Sequence, residues 1–392
     1  MNFNLTPQQL EMIQSMREYG EAAFTNENVS QWREDQGMPD EVAQEFAKRY
    51  FDLPESTGKT GSFSQSLLNQ ALIIEELSRC AGCTVPFQND LFELHIMAGF
   101  ASDNDFSAVI DNFRRTGRVM FSLAVSEPQA GSDTQNMMTS VSTVGGKLVL
   151  NGVKTFVNNG EYAPNILVAA IDEDAPDDVR HPALSFWFVP RNLRGIEAFP
   201  INKIGQSMLP FATVAFRDVE LKPEYRLAGP KASAGFPHLF SLLERGRIFT
   251  CASSLGMAQA AMEDAARYAT ERMAFGTRIG EFQQIEQMLT DMEIRIWNMR
   301  NLLYEAAMKS DDDAPDKRLA IALMKRYIPA AATEVASDAM QIMGGIGYTE
   351  RERVSHIWRD CRGNQLAEGT DQIMVYIAAP LIRAKYGTPA RS

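Results

Sequence analysis

The spacing of apolar residues changes twice along this chain of 392 residues, and those changes limit the folds open to it. Up to about residue 120 the apolar positions recur at helical steps of three and four. Leu10, Ile13 and Met16 follow the helix-start pair Thr6-Pro7, and Pro39-Asp40-Glu41 opens a second helix. Pro54–Gly61 is rich in helix breakers and reads as a loop, and Leu67–Arg79 carries Leu68, Leu72, Ile73, Ile74 and Leu77 as a third helix. From Phe121 to about Leu227 the period is that of strands. Ser140–Val144 and Leu148–Leu150 flank the hairpin signal Gly145-Gly146, and Ile166–Val168, Leu184–Val189 and Ala212–Phe216 are further strand candidates. Beyond Gly235 the helical period returns. Ile285, Met288, Leu289, Met292, Ile296, Met299, Leu303 and Ala306 form one apolar stripe. The run Asp311-Asp312-Asp313 ahead of Pro315 suits a helix N-terminus, where the dipole favours negative charge, and Pro329 is expected to kink the helix that holds it. Helices, then strands, then helices exclude alternating βαβ units and predict a small β-barrel or sandwich between two helical regions.

Composition narrows the function classes. Hydrophobic residues make up 45% and charged residues 22%, so the chain is neither disordered nor fibrous. The net charge of −12, with no long basic run, argues against a nucleic-acid partner. No apolar stretch is long enough to suggest a membrane span. The first residues, Met1 to Pro7, have no basic region followed by an apolar one, so a cytoplasmic setting is expected. Cys80, Cys83, Cys251 and Cys361 are too few for a disulfide framework. Cys80-Ala-Gly-Cys83 lacks the second ligand pair of a zinc site, and His95, His181, His238 and His356 show no ligand spacing, so no metal is expected. The common nucleotide fingerprints and the nucleophile elbow are absent.

Four segments stand out. Ser126-Glu127-Pro128-Gln129-Ala130-Gly131-Ser132-Asp133 is either a plain helix-to-strand connection or a loop whose amides form an anion site. Asn151 to Gly160 reads as turn, strand, turn. Arg272-Met-Ala-Phe275-Gly276, followed by Phe282-Gln283, ends a helix with a guanidinium that is either solvated or offered to a phosphate. Gln341-Ile-Met-Gly-Gly345-Ile-Gly-Tyr348, then Arg359-Asp360, then Ala367-Glu368-Gly369-Thr370-Asp371-Gln372, breaks a helix abruptly and leaves a Glu at a loop end.

Those segments, in that order and at those spacings, closely resemble the acyl-CoA dehydrogenase family of flavoproteins, from Leu5 to about Ile382. The resemblance implies an α+β multidomain fold: an N-terminal all-α domain (1–120), a middle β-barrel domain (121–233) and a C-terminal four-helix bundle (234–392). It implies FAD as cofactor, an acyl-CoA substrate, electron-transfer flavoprotein as redox partner, and a homotetramer built as a dimer of dimers. The implied reaction is α,β-dehydrogenation: a base takes the α proton and a hydride leaves the β carbon for flavin N5. Glu368 matches the base, and the backbone N–H of Gly369 beside it belongs to the implied donors to the thioester carbonyl. Ser126 matches a flavin-ring contact, Ser132 the pyrophosphate loop, and Phe156 and Asn158 the segment facing the flavin. Arg272 and Phe275 match residues that bind FAD across a dimer, and Gln283 another cofactor contact. Gln341 and Gly345 match the pair holding the partner's ADP moiety, and Thr370 and Gln372 residues near FAD. Glu244 and Arg247 match positions near pantetheine and CoA. Gly246 occupies the helix position from which some branches carry the base.

Asn158 stands where many members have Thr, and Ile204-Gly205-Gln206-Ser207-Met208 lacks an Arg common two residues after the Gly. Asp264–Ala269 and Asn301–Ala307 resemble the bacterial branch around crotonobetainyl-CoA reductase, which leaves enoyl-CoA reduction as the alternative direction. A non-catalytic helical assembly protein, with the Ile285–Ala306 stripe serving association, is the reading from another class.

Overall fold

A computed structural model of the chain describes residues 5–50, 66–100, 102–117, 121–174, 183–229 and 233–387. The expected Pro54–Gly61 loop lies outside the described residues. The N-terminal helices are α1 (Pro7–Ala23), α2 (Asn26–Glu34), α3 (Asp40–Tyr50), α4 (Leu67–Ala81), α5 (Phe87–Phe100) and α6 (Ser107–Thr116). The Thr6-Pro7 signal is a capping box: Thr6 Oγ1 accepts from the Gln9 amide, and the Gln9 side chain accepts from the Thr6 amide at 2.9 Å. α4 is buried almost all round, which explains its dense apolar content.

Seven strands follow: β1 (Ser122–Ala124), β2 (Ser140–Val144), β3 (Lys147–Asn158), β4 (Asn165–Asp172), β5 (Leu184–Pro190), β6 (Ile196–Ile201) and β7 (Phe211–Leu221). They form one sheet in the order β1-β4-β2-β3-β7-β6, with β5 also on β4. β1 and β2 run parallel to β4, and the other pairs are antiparallel. A closing pair, which a barrel in the strict sense needs, is not among these pairings of described residues. Gly145 and Gly146 join β2 to β3 with φ of 59° and 80°, the left-handed pair that a tight hairpin turn requires. β4 and β5 read as continuous apolar runs because both their faces are covered. Ile166, Val168, Trp187 and Val189 point into the core of the β region, while Leu167, Ala169 and Phe186 join the helical core.

The C-terminal region holds α7 (Phe236–Glu271), a hairpin of β8 (Met273–Ala274) and β9 (Thr277–Arg278), α8 (Gln283–Asp311), α9 (Lys317–Met343), α10 (Arg353–Asn364) and α11 (Asp371–Tyr386). α7 is the hub, packing on α4, α8, α9 and α10. The Ile285–Ala306 stripe points inward: Met292, Met299, Leu303 and Ala306 are 0% exposed within the single chain. From Met292 on it builds this chain's own core, and Ile285, Met288 and Leu289 are half-buried against that core, so the stripe does not serve association alone, as the assembly-protein reading requires. α9 continues through Pro329. The acidic run corrects an expectation. Asp311 ends α8 instead of opening α9, yet its carboxylate does serve a helix start. Oδ1 accepts from Leu67 N at 2.6 Å and Oδ2 from Leu68 N at 3.2 Å, capping α4.

One carboxylate ties all three regions together. Asp360 on α10 accepts from Thr84 N (2.9 Å), just past α4, and from Gln206 N (2.5 Å) in the loop before β7. The Gln206 side chain then donates to Asn364 Oδ1 at 2.8 Å. All four cysteines are free and buried, and burial raises the Cys80 thiol to about 11. Among the described residues no helix is long and apolar enough to cross a membrane, and no group of three or more His, Cys, Asp or Glu is placed to hold a metal ion.

Candidate active site

The short connection from α10 to α11 carries Glu368 in an unusual conformation. Its φ is 55° and that of Gly369 is 93°. The left-handed region costs a non-glycine residue roughly 1–3 kcal/mol, so the surroundings must hold it there. They do so through the backbone. Arg247 Nε on α7 donates to Glu368 O at 3.0 Å. Lys325 Nζ on α9 donates to Gly369 O at 3.2 Å and to Asn364 O at 2.8 Å. Thr370 caps α11, its hydroxyl accepting from Ile373 N, and Gln365 donates to the Asp371 carboxylate at 2.8 Å.

The Glu368 side chain is left for chemistry. The residue is half-buried, but Oε2 is shielded from solvent and has no hydrogen-bond partner. It approaches α7 where Gly246 makes room: a Cβ at Gly246 would lie 2.6 Å from Oε2 and 2.8 Å from Cδ. Burial pushes the carboxyl above the ordinary range, and the charges of Arg247 and then Lys325 oppose that push. A desolvated carboxylate with an unpartnered oxygen is equipped to accept a proton from carbon. Gly246→Ala is accordingly expected to displace the carboxylate and slow turnover about 100-fold, while a thermal melt stays close to wild type.

A second cluster joins the Ser126 loop to β3. Thr155 N donates to Ser126 O at 2.8 Å, which sets Ser126 beside the segment carrying Phe156 and Asn158. Below it lies a buried ion pair. Lys154 Nζ reaches Glu127 Oε1 at 2.8 Å and Val125 O at 2.9 Å. Glu127 also accepts from the amides of Met138 and Thr139. Burial works against the Glu127 carboxylate, yet Lys154 and these donors win and hold it down at about 2. Phe156 is 61% exposed with φ of 56°, and Asn158 Oδ1 and Asn159 Nδ2 are shielded and unpartnered. An exposed aromatic edge beside an unmet acceptor and an unmet donor fits a polar ring system, and so fits the flavin of FAD. The two clusters are linked: Asn159 N donates to Pro210 O, and the same loop docks Gln206 on Asp360 and Asn364.

The remaining expected residues stand apart. Arg272 and Phe275 lie at the β8–β9 hairpin, Phe275 being 99% exposed, and Gln283 opens α8 on the surface. Gln341 is exposed near the end of α9, and Gly345 follows it with nothing within 4 Å of an added Cβ. Ser132 and Gln372 are exposed, and Glu244 is half-buried one turn before Arg247. Four residues that hold the site together drew no role from sequence: Lys154, Gln206, Lys325 and Asp360. Asp360 lies in the Arg359-Asp360 pair, Lys154 in the Asn151–Gly160 segment and Gln206 in the Ile204–Met208 run, whereas Lys325 lies in no segment that stands out.

Residues 122–219 match the family model for the acyl-CoA dehydrogenase middle domain, and residues 233–381 that for the acyl-CoA dehydrogenase C-terminal domain. The chain is 34% identical over 386 residues to the probable acyl-CoA dehydrogenase YdiO of Escherichia coli K12, covering 98% of this chain and 99% of that one. Among solved structures, an acyl-CoA dehydrogenase from Slackia heliotrinireducens is 49% identical with a TM-score of 0.88, covering 99% of both chains. Butyryl-CoA dehydrogenase from Megasphaera elsdenii is 26% identical with a TM-score of 0.80, covering 97% of this chain and 100% of that one.

Proposed function

Because this chain belongs to the acyl-CoA dehydrogenase family, we propose that it is an FAD-dependent enzyme that interconverts an acyl-CoA and its 2-enoyl-CoA, with Glu368 as the base. The observation that carries this reading is the shielded, unpartnered Oε2 of Glu368, in a loop whose backbone is fixed from α7 and α9. In the dehydrogenase direction the α C–H bond breaks and its proton passes to Glu368 Oε2. The thioester carbonyl must be polarised at that moment, and the Gly369 N–H beside the base is the donor this chain would supply. Bound FAD would supply the acceptor for the hydride that leaves the β carbon. Ser126, Phe156 and Asn158 would hold its ring system, with Ser132, Thr370 and Gln372 at its edges. Arg272, Phe275, Gln283, Gln341 and Gly345 are exposed in the single chain, which supports a cofactor site completed by a neighbouring copy in a homotetramer. Glu244 and Arg247 would face the CoA arm, and electron-transfer flavoprotein would drain the electrons.

The raised carboxyl sets the sign of the pH response. The base works only when ionised, so turnover falls as pH drops through its elevated pKa and levels off above it. The deciding experiment is anaerobic bleaching of the bound flavin by a panel of acyl-CoAs, with reoxidation by enoyl-CoAs as the reverse. Bleaching by an acyl-CoA supports the dehydrogenase direction, and reoxidation alone supports the reductase. A protein unable to take up flavin would end both.

A further inference from the structure

Lys325 has surroundings that packing alone does not explain. It is 0% exposed on α9, with the buried apolar neighbours Ile321, Met324 and Ile328 in the same helix. Among the described residues no carboxylate pairs with its ammonium. The partners are two neutral carbonyls, Asn364 O at 2.8 Å and Gly369 O at 3.2 Å. A cation stripped of water is costly unless its position serves something. Burial lowers its pKa, and the groups within electrostatic reach are Cys251 and Arg247 on α7, Asp371 on α11 and Glu368 itself.

The two carbonyls bracket the base. Asn364 is the last residue of α10, where a helix leaves carbonyls without internal partners, and Gly369 directly follows Glu368. One contact would suffice to cap α10. The second reaches past the base to the next peptide, Gly369–Thr370, while Arg247 Nε holds the Glu368 carbonyl. We propose that Lys325 is a positioning residue for Glu368, clamping the loop through carbonyls on both sides of the base and placing its charge within electrostatic reach of the carboxylate. The proposal rests on the assignment of Glu368 as base.

The test uses the full-length flavin-loaded protein and the panel acyl-CoA that bleaches the wild-type flavin fastest. Lys325→Met is expected to slow limiting bleaching about 100-fold. The half-saturating acyl-CoA concentration should move by less than about threefold. The acid limb should shift to higher pH, because a positive charge near the carboxylate has gone. Lys325→Gln keeps a donor without the charge, so it should regain about 10-fold in rate while its acid limb stays with that of Lys325→Met. Glu368→Gln, run alongside, separates the two ideas. If that variant bleaches like wild type, or the wild-type flavin is neither bleached by any acyl-CoA nor reoxidised by any enoyl-CoA of the panel, the base assignment fails and takes this proposal with it. If Glu368→Gln is inactive while Lys325→Met keeps the wild-type rate and acid limb, the base stands and the Lys325 role is overturned. A slower rate with an unmoved acid limb, or loss of fold or flavin in both Lys325 variants, would assign Lys325 to structural support alone and overturn it as well.

Discussion

Glu368→Gln is expected to lower the rate of flavin bleaching by about 10⁴-fold, the upper range for removing a positioned base, with flavin still bound. The substitution preserves shape and removes the negative charge and the proton affinity together. It should also leave the fold intact, because what secures this residue is its main chain: Arg247 donates to the Glu368 carbonyl, and Oε2 has no partner to lose. Stability should move the other way. A carboxyl whose folded-state pKa is raised costs stability as pH climbs from its ordinary value of 4.5 to the raised one, and the full cost stands at every higher pH, so a neutral amide relieves it. A thermal melt at neutral pH should place the variant at or above wild type, and a melt well below it would show that the carboxylate has structural duties. Activity held at the expense of local stability is the usual signature of a working site.

Lys154→Met is expected to destabilise the protein by about 3–5 kcal/mol, since it strands the Glu127 carboxylate without its cation. The side chains of the pair are 0% and 2% exposed. A melt should report a drop of about 12–20 °C for the transition of the β region, at about 4 °C per kcal/mol for a region of this size. The second member of the cycle is Glu127→Gln with Lys154→Met. Replacing both charges should recover most of the loss, and failure to recover would mean that the Met138 and Thr139 amides need a full carboxylate. The pair also has a pH signature. The Glu127 pKa is depressed from 4.5 to about 2, so the stability it contributes is complete above 4.5 and is lost as pH falls towards 2. Because Glu127 anchors the loop that carries Ser126, the single variant should also weaken flavin retention, measured by the released chromophore.

What sequence reveals here depends on whether a signal is local. The helical stripe from Ile285, the Gly145-Gly146 turn and the Thr6-Pro7 start are short-range patterns, and each takes the expected form. The Asp311 run departs from the expected place because it meets the dipole of α4, from a different part of the chain, and no local pattern names that partner. Closure of the strands into a barrel depends on pairings between distant strands, which alternation does not specify. Glu368 stood out only through resemblance, since a glutamate beside a glycine is ordinarily a surface residue. Lys154 and Lys325 were hidden for the opposite reason: lysine is seldom fully buried, so their role appears only when the carbonyls and carboxylate that receive them are in view.

The burial of every thiol has a practical consequence for following how this protein comes apart. Cys80 and Cys83 lie in and just after α4, Cys251 in α7 and Cys361 in α10, all out of reach of an alkylating reagent while the native packing holds. Maleimide uptake in mild denaturant would therefore count opening events, and mass spectrometry of the labelled peptides would assign each to the N-terminal or the C-terminal helices. Asp360 joins those regions through Thr84 N and sits next to Cys361, so simultaneous labelling of Cys83 and Cys361 would mark the moment that junction parts.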